Sequence, residues 1–95
     1  MLNEEQVNQI KNKQAVLLDV RSDEEVAAGT SPDALHWELM KLEHGQMPDI
    51  DKNQPVYCYC RSGGRAGRAK NILQANGFAD AQNIGGYDSL PPDLK

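Results

Sequence analysis

PVYCYCRSGGR, at residues 55–65, is the stretch that decides the fold of this 95-residue chain. Its first six residues are rich in β-branched and aromatic side chains, which predicts a buried strand ending at Cys60. The pair Gly63-Gly64 interrupts this pattern, and a helix is expected over residues 66–76, with Gly77 to end it. The stretch therefore predicts a strand, a short loop and a helix in direct succession.

Strands and helices alternate along the rest of the chain as well. A capping box over Asn3–Gln6 opens the first helix, and the apolar run Ala15–Val20 predicts a strand buried on both faces. A second capping box over Ser22–Glu25 opens another helix, and short strands are expected at 34–37 and 81–84. This order predicts an α/β fold in which helices cover both faces of a small parallel sheet of about five strands.

The length of the chain suits one small domain, which we expect to span residues 1–95. In parallel sheets, ligands bind beyond the carboxyl ends of the strands. Cys60 is the last residue of the strongest strand, so it lies where chemistry is expected.

Charge is distributed unevenly along the sequence. Fourteen acidic against ten basic side chains give a net charge of −4, which argues against a nucleic-acid partner. Residues 52–79 contain no acidic side chain, and their five basic ones are Lys52, Arg61, Arg65, Arg68 and Lys70. A basic segment in an acidic chain indicates a binding site for a small anion, although a solvated helix face would produce the same pattern.

The sequence offers no signal for a membrane or for export. No apolar run approaches the roughly 20 residues of a membrane-spanning helix, and the polar first 14 residues do not resemble a secretory signal. We therefore expect a cytoplasmic protein without a membrane partner, or a periplasmic one if a signal peptide has been removed.

The two cysteines are too few for a disulfide framework, and a bridge between Cys58 and Cys60 would be strained. The only histidines, His36 and His44, lie at the pocket rim or the surface in the simplest interpretation, and a proton relay is the alternative. These four residues lack the ligand spacing of a zinc site. Nothing else in the sequence suggests a metal or an organic cofactor, so we expect neither.

The loop that begins at Cys60 combines several features that favour a thiolate. Its two glycines allow the backbone to curl until successive N–H groups point at one centre, and the following helix directs its positive end there. Arg61 and Arg65 add positive charge, so the thiol should lose its proton readily and an anion should bind. A buried cysteine before an ordinary glycine turn is the alternative, but it leaves the arginines unexplained. Cys58 is expected to be an inert core residue, with a resolving thiol as its alternative.

Three segments carry a family resemblance. Asp19-Val20-Arg21 ends a strand before a short helix, residues 60–65 match the pattern Cys-x-x-Gly-x-Arg, and residues 83–86 close with a Gly-Gly turn. In this order and spacing they resemble the single-domain rhodanese family.

The resemblance implies a thiosulfate sulfurtransferase. Cys60 would attack the outer sulfur of thiosulfate, release sulfite and carry a persulfide. The sulfur would then pass to cyanide in the assay, or to a thiol acceptor that is either a small thiol or a thioredoxin-like protein. The resemblance also implies that the loop after the cysteine binds the anion, through Arg61, Ser62, Gly63, Gly64 and Arg65.

Individual side chains are expected to differ in role. Arg61 would meet the sulfonate of the donor, and Arg65 would either share that task or pair with an acidic residue beneath the loop. Asp19 and Arg21 would support the loop region structurally, through ion pairs. Trp37 would either cover the pocket or pack into the core.

Two other functions compete with sulfur transfer. A sulfur carrier or partner-binding module without turnover would keep the same cysteine and loop. Cysteine-dependent phosphatases and arsenate reductases are similar in fold, but they place five residues between Cys and Arg, whereas four separate Cys60 from Arg65 here.

Overall fold

The computed structural model describes residues 2–95. The first half of the chain alternates helices and strands: α1 Glu4–Lys11, β1 Val16–Asp19, α2 Asp23–Ala27, β2 Ala34–His36 and α3 Leu39–Glu43. The second half continues with β3 Pro55–Cys60, α4 Gly64–Ala75 and β4 Asp80–Gly86, followed by short 3-10 turns at Tyr87–Ser89 and Pro92–Leu94.

The strands form one parallel sheet in the order β2-β1-β3-β4. The α/β class and the parallel sheet are confirmed, but within residues 2–95 the sheet has four strands rather than about five. After β4 the chain enters a 3-10 turn and then Pro91-Pro92. Prolines have no N–H to donate to a neighbouring strand, so this segment does not extend the sheet.

Both faces of the sheet are covered, because alternate residues of each strand point to opposite sides. One face packs Leu18, Cys58 and Cys60 against α3 and α4. The other packs Leu17 and Tyr57 with side chains from α1 and the C-terminal turns. The cysteines of β3 therefore point to the α4 side of the sheet.

Both capping boxes form as expected. In α1 the side chains of Asn3 and Gln6 each accept a hydrogen bond from the other residue's backbone N–H, at 2.8 Å. Ser22 and Glu25 make the equivalent pair at the start of α2. The helix α4 begins at Gly64, two residues before the expected start, because Gly63 takes a positive φ of 103° and serves as its N-cap.

No helix in the described part of the chain combines the length and apolar character that crossing a membrane requires.

Candidate active site

The sulfur of Cys60 lies in a ring of backbone N–H groups where β3 passes into α4. The Gly63 N–H donates a hydrogen bond to Sγ at 2.9 Å. Burial raises the pKa of the thiol, but N–H groups of Ala66, Ser62, Gly63 and Arg65 face the sulfur and outweigh this effect. The pKa of Cys60 is therefore lowered, and the thiolate is favoured.

This loop depends on glycine at two places. Gly63 occupies the left-handed region, which side chains with a Cβ rarely adopt. Gly86 of β4 lies directly against the loop, where a Cβ would collide with the carbonyl of Arg61. The Gly-Gly turn at the end of β4 therefore gives the loop the room to curl around the sulfur.

Arg65 takes the second of its two expected alternatives, because it pairs with an acidic residue. Its Nη1 and Nη2 atoms donate to the two carboxylate oxygens of Glu25, at 2.6 and 2.9 Å. The bond to Arg65 lowers the pKa of Glu25 to about 2, against the opposing effect of burial and with help from Ser22. The pair ties the first turn of α4 to the first turn of α2.

Arg61 is the exposed cation of the loop, and no acidic side chain of residues 2–95 forms an ion pair with it. It lines a pocket of about 260 Å³, and the other lining residues are Arg21, Glu25, Ala28, Tyr87 and Asp88. Cys60 is not among the residues that line this pocket.

Asp19 and Arg21 pair with each other in the interior. The Nη2 of Arg21 donates to Asp19 at 2.7 Å and to the carbonyl of Gly29 at 2.6 Å. The guanidinium also lies over the ring of Tyr87, 4.6 Å from its centroid. Burial raises the pKa of Asp19, and hydrogen bonds from Arg21 and Thr30 reverse the effect, so the pKa is lowered overall.

Cys58 lies deeper on β3 than Cys60 and is fully buried. Burial raises the pKa of its thiol to about 12. A thiol in this state is a poor nucleophile, which agrees with the expected inert role and not with that of a resolving thiol.

Trp37 and His36 form hydrogen bonds with backbone carbonyls and none with the Cys60 sulfur. Trp37 packs against the core on the α4 side of the sheet and donates through its indole N–H to the carbonyl of Gln46. His36 donates through Nε2 to the carbonyl of Arg21 at 2.7 Å. Among residues 2–95, no three His, Cys, Asp or Glu side chains are grouped so that they could hold a metal ion.

The structure adds contacts of three residues that the sequence did not predict. The Thr30 hydroxyl bonds to Asp19 at 2.8 Å and to the Tyr59 hydroxyl at 2.9 Å. Asn83 of β4 donates to the carbonyl of Gly63. Glu25 carries a local sequence signal, but as part of a capping box that gives no indication of its bond to Arg65.

Several known proteins are similar to this chain in sequence, and the three that follow are named sulfurtransferases. A 38% identical sulfurtransferase of Allochromatium vinosum aligns over 75% of this chain and 65% of its own length. The thiosulfate sulfurtransferase PspE of Escherichia coli is 31% identical, over 82% of this chain and 77% of its own. The human thiosulfate:glutathione sulfurtransferase is also 31% identical, with coverages of 76% and 74%.

Structure and family comparison agree with these relatives. The solved structure of a human single-domain sulfurtransferase superposes with a TM-score of 0.74 and 29% identity, covering 86% of this chain and 84% of the other. The sequence model of the rhodanese-like domain family matches residues 2–90 of this chain. The three relatives named above are sulfurtransferases, and the chain itself belongs to the family of rhodanese-like domains.

Proposed function

We propose that this chain is a thiosulfate sulfurtransferase in which Cys60 carries the transferred sulfur. The observation that carries the proposal is the position of the Cys60 sulfur, to which the Gly63 N–H donates at 2.9 Å and which three further backbone N–H groups face. Two of the relatives, from Escherichia coli and human, have thiosulfate in their names, which supports the choice of donor.

In the first half-reaction the Cys60 thiolate attacks the outer sulfur of thiosulfate. A new S–S bond forms to Cys60, the original S–S bond breaks, and its electron pair leaves with sulfite. The persulfide keeps the negative charge that the thiolate had. The loop N–H groups already face this position, so they can stabilise the charge before and after transfer.

In the second half-reaction an acceptor nucleophile attacks the outer sulfur of the persulfide. The bond to Cys60 breaks, the acceptor keeps the sulfur, and Cys60 returns to the thiolate. We propose a small thiol or a thioredoxin-like protein as the acceptor, with cyanide as its substitute in an assay. The human relative has glutathione in its name, which favours a small thiol.

Within this scheme Arg61 binds the incoming anion, and Arg65 acts on the loop through its bond to Glu25. Asp19 and Arg21 support the segments that surround the pocket. Cys60 is only 1% exposed, which favours small donors that can reach into the loop. A persulfide extends beyond the thiol by about 2 Å, which brings the transferred sulfur closer to an acceptor.

Intact-mass spectrometry after brief incubation with thiosulfate tests the proposal. The wild-type protein and the Cys58→Ser variant should each gain about 32 Da, and Cys60→Ser should gain nothing. Turnover of thiosulfate with glutathione or cyanide should follow the same pattern, while circular dichroism shows that all three proteins are folded.

A gain of mass in Cys60→Ser would contradict the assignment of the sulfur-carrying residue. If the wild-type protein gains no mass from thiosulfate but accepts sulfur from a protein persulfide, the chain is a sulfur carrier and not a thiosulfate sulfurtransferase. Hydrolysis of an aryl phosphate that depends on Cys60 would point to a phosphatase.

A further inference from the structure

The side chain of Asn83 connects the Cys60 loop to the end of β4. Its Nδ2 donates to the carbonyl of Gly63 at 2.9 Å, and its Oδ1 accepts from the N–H of Gly85 at 2.9 Å. Both polar atoms of the Asn83 amide therefore form hydrogen bonds. The pairing of β3 with β4 also shifts register here, between Cys58 and Cys60, so that Cys60 pairs with Gly86.

Two glycines, Gly63 and Gly67, lie close to this amide. A Cβ on Gly67 would approach Nδ2 at 3.3 Å, which is tighter than most real contacts, and a Cβ on Gly63 would lie 3.8 Å from both polar atoms. The backbone of the loop and of α4 thus comes close enough to the Asn83 side chain for direct hydrogen bonding.

Gly63 forms hydrogen bonds through both its N–H and its carbonyl. Its N–H donates to the sulfur of Cys60, and its carbonyl accepts from the Gly67 N–H as well as from Asn83. Because Gly63 and Gly64 both lack a Cβ, the peptide between them has more accessible orientations than any other in the loop. The Asn83 amide on β4 is a second donor beside the Gly67 N–H, and it favours the orientation in which the carbonyl is turned to both.

We propose that Asn83 is a positioning residue for the Cys60 loop. Its amide holds the Gly63 carbonyl, and through it the start of α4, so that the N–H groups of the loop stay directed at the sulfur. This role rests on the proposed function of Cys60 as the reacting thiol. Asn83 itself does not contact the reacting atoms.

The rate of Cys60 alkylation by iodoacetamide, measured against pH, tests this role. Cys58 is buried and does not interfere. In Asn83→Ala the midpoint of the profile should rise by about one pH unit, and the persulfide should form about tenfold more slowly at pH values below the wild-type midpoint. Asn83→Ser, which keeps a short polar side chain, should shift the midpoint in the same direction.

Asn76→Ala is the matched control. Asn76 also donates from Nδ2 to a backbone carbonyl of α4, that of Ile72 at 2.7 Å, but at the other end of the helix. This variant should keep the wild-type alkylation profile. Asn83 is exposed, so neither of its variants leaves a buried cavity, and both should melt close to the wild-type temperature.

An alkylation midpoint in both Asn83 variants equal to that of Asn76→Ala would overturn the proposal. A rate that falls by the same factor at every pH, without a shift in the midpoint, would also overturn it. Alkylation needs no sulfur donor, so a shifted midpoint in a protein that forms no persulfide would contradict the proposed function and leave the role of Asn83 standing.

Discussion

Arg61 and Arg65 lie in the same loop, but their surroundings differ. Arg65 is paired with Glu25 at two oxygens, so its charge is largely compensated within the protein. Arg61 has no such partner within residues 2–95 and lines the pocket beside the loop. Under the proposed function, the charge that meets an incoming anion is therefore that of Arg61.

We predict that Arg61→Ala raises the KM for thiosulfate by about tenfold, because a charge-assisted contact to the sulfonate is lost. The rate with a small neutral sulfur donor should change much less. Steady-state kinetics with both donors measures the difference. Arg68→Ala, which removes another exposed arginine engaged with Glu43, is the control and should leave both KM values near wild type. Equal effects of Arg61→Ala on both donors would contradict a role in anion binding.

At the scale of elements, the start of α2 holds the start of α4. The Ser22 N–H and hydroxyl donate to Glu25 Oε1 at 3.2 and 3.1 Å, and the same oxygen accepts from Arg65. A cation in the first turn of a helix opposes the helix dipole, and here the Glu25 carboxylate offsets that effect. Glu25 thus completes the N-terminal cap of α2 and compensates the charge of Arg65 in the first turn of α4.

The bond between Glu25 and Arg65 predicts a specific dependence of stability on pH. The pKa of Glu25 falls from an ordinary 4.5 to about 2 in the folded protein. Its ionised form therefore stabilises the fold fully above about pH 4.5, and this contribution is lost as the pH falls toward 2. The difference in the free energy of unfolding between wild type and Glu25→Gln should be largest at neutral pH and shrink between pH 4.5 and 2.

Urea unfolding at several pH values measures this difference. Glu24→Gln removes an exposed carboxylate from the same helix and serves as the control. A difference for Glu25→Gln that stays constant or grows toward low pH would show that the ion pair does not stabilise the folded state.

At the scale of the molecule, a polar network joins segments distant in sequence beneath the pocket. Asp19 at the end of β1 is bonded to Arg21 and to Thr30, and Thr30 is bonded to the hydroxyl of Tyr59 on β3. Arg21 also holds the carbonyl of Gly29. Buried charges are tolerated when they are paired and fully hydrogen-bonded, and none of the buried side-chain polar atoms described here lacks a partner.

We predict that Asp19→Ala destabilises the protein by about 3–5 kcal/mol, because it leaves the Arg21 guanidinium buried without its counter-ion. The melting temperature should fall by more than about 10 °C. Thermal unfolding followed by circular dichroism measures it. Asp49→Ala, at an exposed loop position, should stay within about 0.5 kcal/mol of wild type. Similar melting temperatures for the two variants would show that the Asp19–Arg21 pair does not stabilise the folded protein.

The sequence by itself determined the local features of this protein. The strand–loop–helix succession at residues 55–75, both capping boxes and the inward position of Cys58 follow from patterns within a few residues of each other. Apolar runs, cap residues and glycines act on the backbone next to them, so such features can be predicted without knowledge of the fold. The position of Cys60 at the end of a parallel strand follows from the same patterns.

Tertiary structure alone decided which side chains meet around the loop. Glu25 and Arg65 are 40 positions apart, Thr30 and Tyr59 are 29 apart, and Asn83 lies 20 positions beyond Gly63. These contacts arise because the sheet order β2-β1-β3-β4 brings the ends of β1, β3 and β4 to one edge. No local pattern specifies a partner at such distances, since the strand order is set by packing of the whole sheet between its two helical layers.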